Sequence, residues 1–380
     1  MVKSFFSLYS FFKCLGVLMH ILGYHDSAIK YFGRARELSP ANSDIYYKLG
    51  HAYLRKGLLK IAAEFFQRAT ELNKTSPNYL YWLGETYNLL EQSEKTLELY
   101  NQALSLNPNN VKAHMGKGIW YYDRKDFRAA LNSFKNALIY APSNIEALNY
   151  QGLCYYELKE YKEALDSFLK AYKKDSGEAA LNFNIALCLT RIGRYEESLP
   201  YYQKAENLGF FNTQLLNNKG FALAQAGHYD KALVYYNMAL EINPQDVSLL
   251  SNKGSCLAKA GRHMEAVRCF DAALKLDPND TTLLNNKAKC LEEMERYEEA
   301  LIVYQEGYNK NNNCIYLLFN KASCLIQTKR YNEALSCYDK VLRLDPHNKD
   351  AWGHKAYLLK EMGDMENALE CFNRSLGLIS

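Results

Sequence analysis

Apolar residues recur along this chain with the period of amphipathic helices, and the pattern is interrupted at regular intervals. Residues 213–246 contain one unit of it, with apolar positions spread over 216–223 and again over 232–242. In both stretches the apolar residues fall on one side of a helix. Gly227 and Pro244 follow the two stretches, and these residue types end helices. The unit therefore predicts a helix, a turn, a second helix and a second turn.

The same unit recurs every 34 residues. With Thr213 numbered as slot 1, slot 8 is always Gly or Ala, slot 20 is Ala in nine of eleven units, and slot 24 is always aromatic. Small residues let two helix backbones approach closely, and the ring fills the wedge between them. We predict a lead-in at residues 1–8 and one array over 9–380. The units begin at residues 9, 43, 77, 111, 145, 179, 213, 247, 281, 315 and 349.

This slot chemistry resembles the tetratricopeptide repeat family, whose 34-residue pattern has Leu-Gly at slots 7 and 8, Tyr at 11, Ala at 20, Phe at 24 and Pro at 32. Leu49-Gly50 with Tyr53 matches it closely, and six of the eight prolines occupy slot 32. The resemblance covers nearly the whole chain. It implies an all-α fold, a right-handed α-solenoid superhelix in which each unit packs only against its neighbours.

Charge and cysteine usage narrow the class of function. The chain has 46 basic and 42 acidic residues, so its net charge of +4 does not indicate a nucleic-acid or membrane partner. Eight of the ten cysteines occupy slot 10 or slot 23, and no CxxC pair occurs. We interpret them as reduced packing residues of a cytoplasmic protein, with no metal or other cofactor.

The N-terminal segment allows two interpretations. Lys3 followed by an apolar run resembles a secretory signal or a membrane anchor. The repeat register favours a first repeat helix instead, because Gly16, Ala28 and Phe32 fall on slots 8, 20 and 24 and Lys13 interrupts the apolar run. Since this helix is apolar nearly all round, we expect its outer side to be covered.

A peptide site is predicted on the side of the first helix that packing leaves free. Slots 2, 6, 9 and 13 lie on that side, opposite slots 4, 8 and 11. In the tetratricopeptide family this side forms the concave groove that holds extended peptides. Slot 6 is Asn in five successive units, although Asn in mid-helix is less favourable than Ala by about 0.5 kcal/mol. The predicted contacts are Asn184, Asn218, Asn252, Asn286 and Asn320, with Asn217 and Asn285 beside them.

An Asn amide can pair with both polar groups of an extended backbone without selecting a sequence. The row is similar to one in the tetratricopeptide portion of O-linked N-acetylglucosamine transferases, where such asparagines hold the substrate's main chain. An inherited, solvated asparagine is the alternative. Four tyrosines in slots 5 and 12 are expected on the same inner surface and complete the predicted site: Tyr47, Tyr81, Tyr122 and Tyr156.

Slot 7 is Lys in six units, five of them successive ones near the C-terminus. We interpret these lysines as structural, with their ammonium groups near acids of the preceding turn such as Asp277 or Asp345, and an acidic-ligand site as the alternative. The chaperone-tail clamp of some tetratricopeptide proteins needs Lys at slot 5 with Asn at slot 9 in one unit. No unit has both.

No P-loop, metal-ligand spacing or nucleophile motif occurs in the sequence. The leading hypothesis is therefore a non-enzymatic scaffold or adaptor that holds an extended segment of a partner protein, mainly between Asn184 and Asn320. Two alternatives stay open. One is the substrate-recognition arm of a larger enzyme such as a protein glycosyltransferase, and the other is a scaffold that self-associates through two uncapped ends.

Overall fold

The computed structural model describes residues 2–379, and side chains from residue 8 onward except that of Ser93. The described residues form twenty-two α-helices and no strand, which confirms the predicted all-α repeat fold. The helices follow one another as pairs joined by short turns. The chain divides into two compact units, Met1–Ile192 and Gly193–Ser380.

Odd-numbered helices are the first members of the pairs and even-numbered helices are the second members. The first unit contains α1 (Val2–Ile21), α2 (His25–Leu38), α3 (Ser43–Arg55), α4 (Leu59–Leu72), α5 (Pro77–Leu89), α6 (Ser93–Leu106), α7 (Val111–Asp123), α8 (Phe127–Tyr140), α9 (Ile145–Glu157), α10 (Tyr161–Tyr172) and α11 (Ala179–Arg191). The second unit contains α12 (Tyr195–Asn207), α13 (Thr213–Gln225), α14 (Tyr229–Ile242), α15 (Val247–Lys259), α16 (His263–Leu276), α17 (Thr281–Glu293), α18 (Tyr297–Lys310), α19 (Ile315–Gln327), α20 (Tyr331–Leu344), α21 (Lys349–Glu361) and α22 (Met365–Leu376).

The turn inside each pair places slot 15 in the left-handed region of backbone space. Six pairs have Gly there, with φ between 74° and 86°, and the helix end predicted at Gly227 is confirmed by its φ of 86°. Five pairs have Glu or Lys instead, with φ between 57° and 64°. An L-residue is disfavoured in this conformation by about 1 kcal/mol, so the surrounding helix pair must hold it in place.

Side-chain caps fix where most of the first helices begin. In seven of them an Asn or Asp at slot 34 of the preceding pair accepts a hydrogen bond from a backbone N–H of the first turn, which would otherwise lack a partner. The capping residues are Asn42, Asn110, Asn144, Asn212, Asp246, Asp280 and Asn348.

In seven pairs that lie within one unit, the core is the slot 24 ring lying against a glycine at slot 8. A Cβ atom added to Gly118 would lie 2.5 Å from the Phe134 ring, which explains the small residue at this slot. Neighbouring pairs meet beside the same ring. Ile45, at slot 3, lies in one cluster with Phe32 and Ala35 of the preceding pair. We call this contact the pair-to-pair interface, and it buries slot 3 against slots 24 and 27.

The cysteines take part in this packing, as their slots predict. All ten are free, and those at slot 10 are buried. Burial raises the pKa of the Cys188 and Cys324 thiols to about 12, so they are protonated at neutral pH. Among the described residues, no group of His, Cys, Asp and Glu has the geometry of a metal site.

Candidate functional site

Slots 2, 6, 9 and 13 of consecutive first helices form a continuous surface in each unit, which we call the first-helix face. Side chains at these slots reach from one pair to the next. Lys259 Nζ donates to Gln225 Oε1 at 2.9 Å in the second unit, and the ring centroids of His51 and Trp82 are 4.3 Å apart in the first. Side chains on this face therefore share one surface within each unit.

Two slot 6 asparagines of the second unit are bonded to asparagines at slot 5 of the preceding pair. Asn252 Nδ2 donates to Asn217 Oδ1 at 2.9 Å, and Asn320 Nδ2 donates to Asn285 Oδ1 at 2.6 Å. The structure thus gives Asn217 and Asn285 an internal role that sequence reasoning missed: each accepts a bond that links two first helices. Each bond also fixes the orientation of the slot 6 amide.

The other two slot 6 asparagines of this unit, Asn218 and Asn286, follow pairs whose slot 5 residue in the sequence is not asparagine. Asn218 Nδ2 donates instead to the main-chain oxygen of Gln214 at 2.8 Å. Within the described part of the chain, Asn286 forms no side-chain hydrogen bond. All four amides are half-buried on the first-helix face. The three bonded ones each use one N–H, so the second N–H and the carbonyl oxygen stay available.

Asn184 occupies the same slot of the first unit and is also half-buried. Aromatic side chains at slots 5 and 12 lie beside the first-helix face of that unit. Tyr47 packs on Tyr79, with ring centroids 4.9 Å apart, and Tyr81 packs on Trp82 at 5.2 Å. Burial raises the pKa of both phenols, so these tyrosines are neutral.

Tyr122 and Tyr156 lie further along the same unit. The ring of Tyr122 is 5.6 Å from that of Tyr150, and burial raises its pKa to about 12. The hydroxyl of Tyr156 accepts a hydrogen bond of 3.0 Å from Arg191 Nε. All four predicted tyrosines are therefore half-buried and packed against neighbouring side chains.

A carboxyl group inside this aromatic row was not predicted. Tyr100 Oη donates to Glu85 Oε1 at 2.5 Å, and burial raises the pKa of Glu85 although the bonds from Tyr100 and Tyr81 oppose the shift. Gly116 makes room for it, because a Cβ atom there would lie 2.7 Å from Glu85 Oε1. The signal in the sequence is that Gly116 is the one glycine at slot 6.

Family models described as tetratricopeptide repeat or TPR repeat match most of the chain between residues 18 and 380. The matched ranges are 18–57, 43–76, 77–110, 121–179, 179–208, 213–246, 245–310, 315–348 and 349–380. The chain belongs to the tetratricopeptide repeat family. No curated protein sequence matches it.

Several solved structures resemble this tetratricopeptide repeat protein. YrrB, described as a TPR protein with an unusual peptide-binding site, is 24% identical over 50% of this chain and 98% of its own, with a TM-score of 0.46. Yeast Tom70 is 18% identical over 99% of this chain and 92% of its own, with a TM-score of 0.48. Pseudomonas aeruginosa PilF is 19% identical over 57% and 97%, with a TM-score of 0.49. At these identities the similarity concerns the fold alone.

Five of the six slot 7 lysines of this tetratricopeptide array bond to slot 25 of the preceding second helix. Lys287 Nζ lies 2.6 Å from Asp271 Oδ1, and Lys355 Nζ lies 2.6 Å from Asp339 Oδ1. The predicted partners Asp277 and Asp345 are wrong, because slot 25 of the second helix, not the turn after it, faces slot 7. Lys219 is buried and contacts the same slot. These contacts use the ammonium groups within the protein.

The apolar first helix of the tetratricopeptide array is solvent-exposed along its outer side, where Phe11, Leu18 and Ile21 are uncovered. Neither this helix nor any other in the described residues is both long and apolar enough to cross a lipid bilayer.

Proposed function

We propose that this protein is a non-enzymatic adaptor that binds an extended segment of a partner protein on the first-helix face of its second unit. Stacked helix pairs of this family present extended surfaces to which proteins bind. The observation that carries the proposal is the row of half-buried slot 6 amides, Asn218, Asn252, Asn286 and Asn320, on one contiguous face.

The internal bonds of these amides support binding to a main chain. An extended segment presents N–H and C=O groups along its length, and an Asn side chain with one N–H already bonded still offers one donor and one acceptor. Because Asn217 and Asn285 hold the amides of Asn252 and Asn320 in one orientation, less rotamer freedom is lost when a ligand binds.

The row of tyrosines beside the first-helix face of the first unit is proposed as a second contact surface. Tyr47, Tyr81, Tyr122 and Tyr156 offer rigid rings with little conformational entropy to lose, and Asn184 adds an amide of the same type. Apolar or aromatic side chains of a partner fit such a surface. The ten free cysteines fit a reducing compartment, and we propose the cytoplasm.

The experiment begins with peptides selected from a random display library on the full chain. Their affinity for the parent and for the triple variant Asn218→Ala, Asn252→Ala, Asn286→Ala is measured by fluorescence anisotropy. Loss of three hydrogen-bonding amides is expected to weaken binding on the order of tenfold or more. The helical circular dichroism spectrum is expected to stay unchanged.

The matched control is Asn279→Ala, Asn312→Ala, Asn313→Ala, which removes three exposed asparagines of the same unit outside the first-helix face. It is expected to bind as the parent does. Equal binding by the first triple variant and the parent contradicts a role for the slot 6 amides. Failure to select any peptide contradicts the proposed function as a whole.

A further inference from the structure

The pair-to-pair interface repeats the same contact along each unit. In nine pairs slot 3 of the first helix is Ile, Ala or Leu, and at most 1% of it is exposed. A Cβ atom added to Gly307 would lie 3.0 Å from Leu317 Cδ1, so slot 3 of one pair lies directly on slot 27 of the pair before it. Slot 3 is therefore the residue that each pair inserts into the preceding pair.

The first pair exposes the inserting residues of this interface, and no other pair among the described residues covers them. Its slot 3 residue is Phe11, which is 57% exposed, and Leu18 at slot 10 is exposed as well. Leu15 and Leu22 continue the series at spacings of three and four, so the stripe is apolar along its length. Lys13 of α1 bonds to Asp44 at 2.8 Å, and the guanidinium of Arg34 lies 5.5 Å from the centroid of the Phe12 ring. Both cations therefore have a partner within the chain.

The last pair has the receiving surface. The slot 24 ring is at most 2% exposed in the first ten pairs, whereas Phe372 in the last pair is 52% exposed. Leu369 and Leu376 flank it and are also exposed. An open cleft of about 440 Å³ lies between α21 and α22, and its lining is apolar apart from Tyr357 and Lys360. Arg374, at the edge, is paired with Glu370 at 3.1 Å.

We propose that two copies of this chain associate head to tail, with α1 of one copy packed on α21 and α22 of the other. Phe11 of one copy takes the position of slot 3 against Phe372 and Ser375, which occupy slots 24 and 27 of the other. The occupant is a second copy because the contact continues an interface that the chain already forms between its own pairs. Since the two faces differ, the contact is heterologous, and each associated copy keeps one face free for another.

The test measures the mass of the full chain by sedimentation velocity and light scattering over a wide concentration range. The parent is expected to rise from the mass of one chain to that of two or more. Phe11→Glu and Phe372→Glu are each expected to remain single chains, because either change buries an unpaired carboxylate in the contact. Both positions are exposed in one chain, so these variants are expected to keep the parent's circular dichroism spectrum and melting curve.

The decisive experiment mixes the Phe11→Glu and Phe372→Glu variants. Each has one intact face, so an equal mixture is expected to form a complex of two chains and nothing larger. Ile139→Glu, which changes an exposed apolar residue away from both faces, is the control and is expected to associate as the parent does. A parent that stays a single chain throughout overturns the proposal. Association of either Glu variant alone, or failure of the mixture to associate, does so too.

Neither face includes the slot 6 asparagines. Peptide binding by Phe11→Glu and Phe372→Glu is therefore expected to equal that of the parent, so the outcome of this test is separate from that of the proposed function.

Discussion

The side-chain amide of Asn320 donates a hydrogen bond of 2.6 Å to the side-chain carbonyl of Asn285, 35 residues earlier in the chain. Asn252 and Asn217 form the same bond in the preceding part of the second unit. Asn285 is 7% exposed, whereas Asn217 is half-buried. The two bonds therefore have the same chemistry in different degrees of burial, and their contributions can be compared.

Replacing Asn285 by Ala is expected to lower the free energy of unfolding by about 1–2 kcal/mol, because it removes a hydrogen bond together with a buried side chain and leaves the amide of Asn320 without its acceptor. Asn217→Ala is expected to lower it less, since the side chain of Asn217 is only half-buried. Chemical denaturation followed by circular dichroism measures both. A larger loss for Asn217→Ala would contradict this reading of burial.

Lys125→Gly is expected to raise the free energy of unfolding by about 1 kcal/mol. Lys125 has φ of 62°, and Gly adopts this conformation without the steric penalty of a Cβ atom. The reciprocal change, Gly227→Lys, places a side chain at φ of 86° with no neighbouring atom within 4 Å, so it tests the backbone effect alone. It is expected to lower stability by a similar amount. If the denaturation midpoints of the two variants do not move in opposite directions, the backbone conformation at slot 15 does not determine stability as expected.

Gly118→Ala is expected to lower the free energy of unfolding by about 1–3 kcal/mol through overpacking. The new Cβ atom would lie 2.5 Å from the Phe134 ring, and that ring is fully buried. Gly220→Ala is the comparison, because its Cβ atom would lie 3.0 Å from the Tyr236 ring and needs a smaller adjustment. Thermal unfolding of both variants is the measurement. An equal loss of stability in the two would show that the distance from the new Cβ atom to the ring does not determine the loss.

Stability is expected to fall as the pH decreases from about 6.5 to about 4 because of His51. Burial lowers the pKa of this imidazole to about 4 from an ordinary value of 6.5, and neighbouring cationic groups act in the same direction. The unfolded chain therefore binds the proton over this range while the folded chain does not, which favours unfolding. Above pH 6.5 the effect is absent.

His51→Phe keeps an aromatic ring against Phe66 and Trp82 but cannot titrate. Denaturation midpoints of the variant are expected to depend less on pH between about 6.5 and 4 than those of the parent. Parallel pH profiles for the two proteins would show that His51 is not the group responsible.

The sequence predicted the helical-repeat fold because the information lies in short-range spacing. The small slot 8 and the aromatic slot 24 are contacts within one pair, and Gly118 with Phe134 shows the geometry that the pattern requires. The Asn285 to Asn320 bond could not be predicted in the same way. It depends on how far one first helix is staggered against the next, and a 34-residue period alone does not specify that stagger.

The partners of the slot 7 lysines could have been found from the sequence. In all six helix pairs with Lys at slot 7, slot 25 of the preceding pair carries a polar side chain that can accept a hydrogen bond from the lysine. These residues are Asn101, Gln203, Asn237, Asp271, Gln305 and Asp339. Where slot 7 is Ile185, slot 25 is Leu169, and where slot 7 is Gln151, slot 25 is Lys135. This matching of residue types between neighbouring helix pairs indicates a contact between slots 7 and 25 more directly than proximity to the turn does.

The contact between slots 7 and 25 also decides which helix pairs can be gained or lost as modules. Deleting residues 281–314 would bring Lys321 opposite Asp271, so an ammonium group would still meet an acceptor. Deleting residues 145–178 would instead bring Ile185 opposite Lys135, an apolar residue against a charge. Recombination can therefore lengthen or shorten the carboxyl-terminal part of this array by whole helix pairs. In the amino-terminal part, the contact between slots 7 and 25 constrains the order of the pairs.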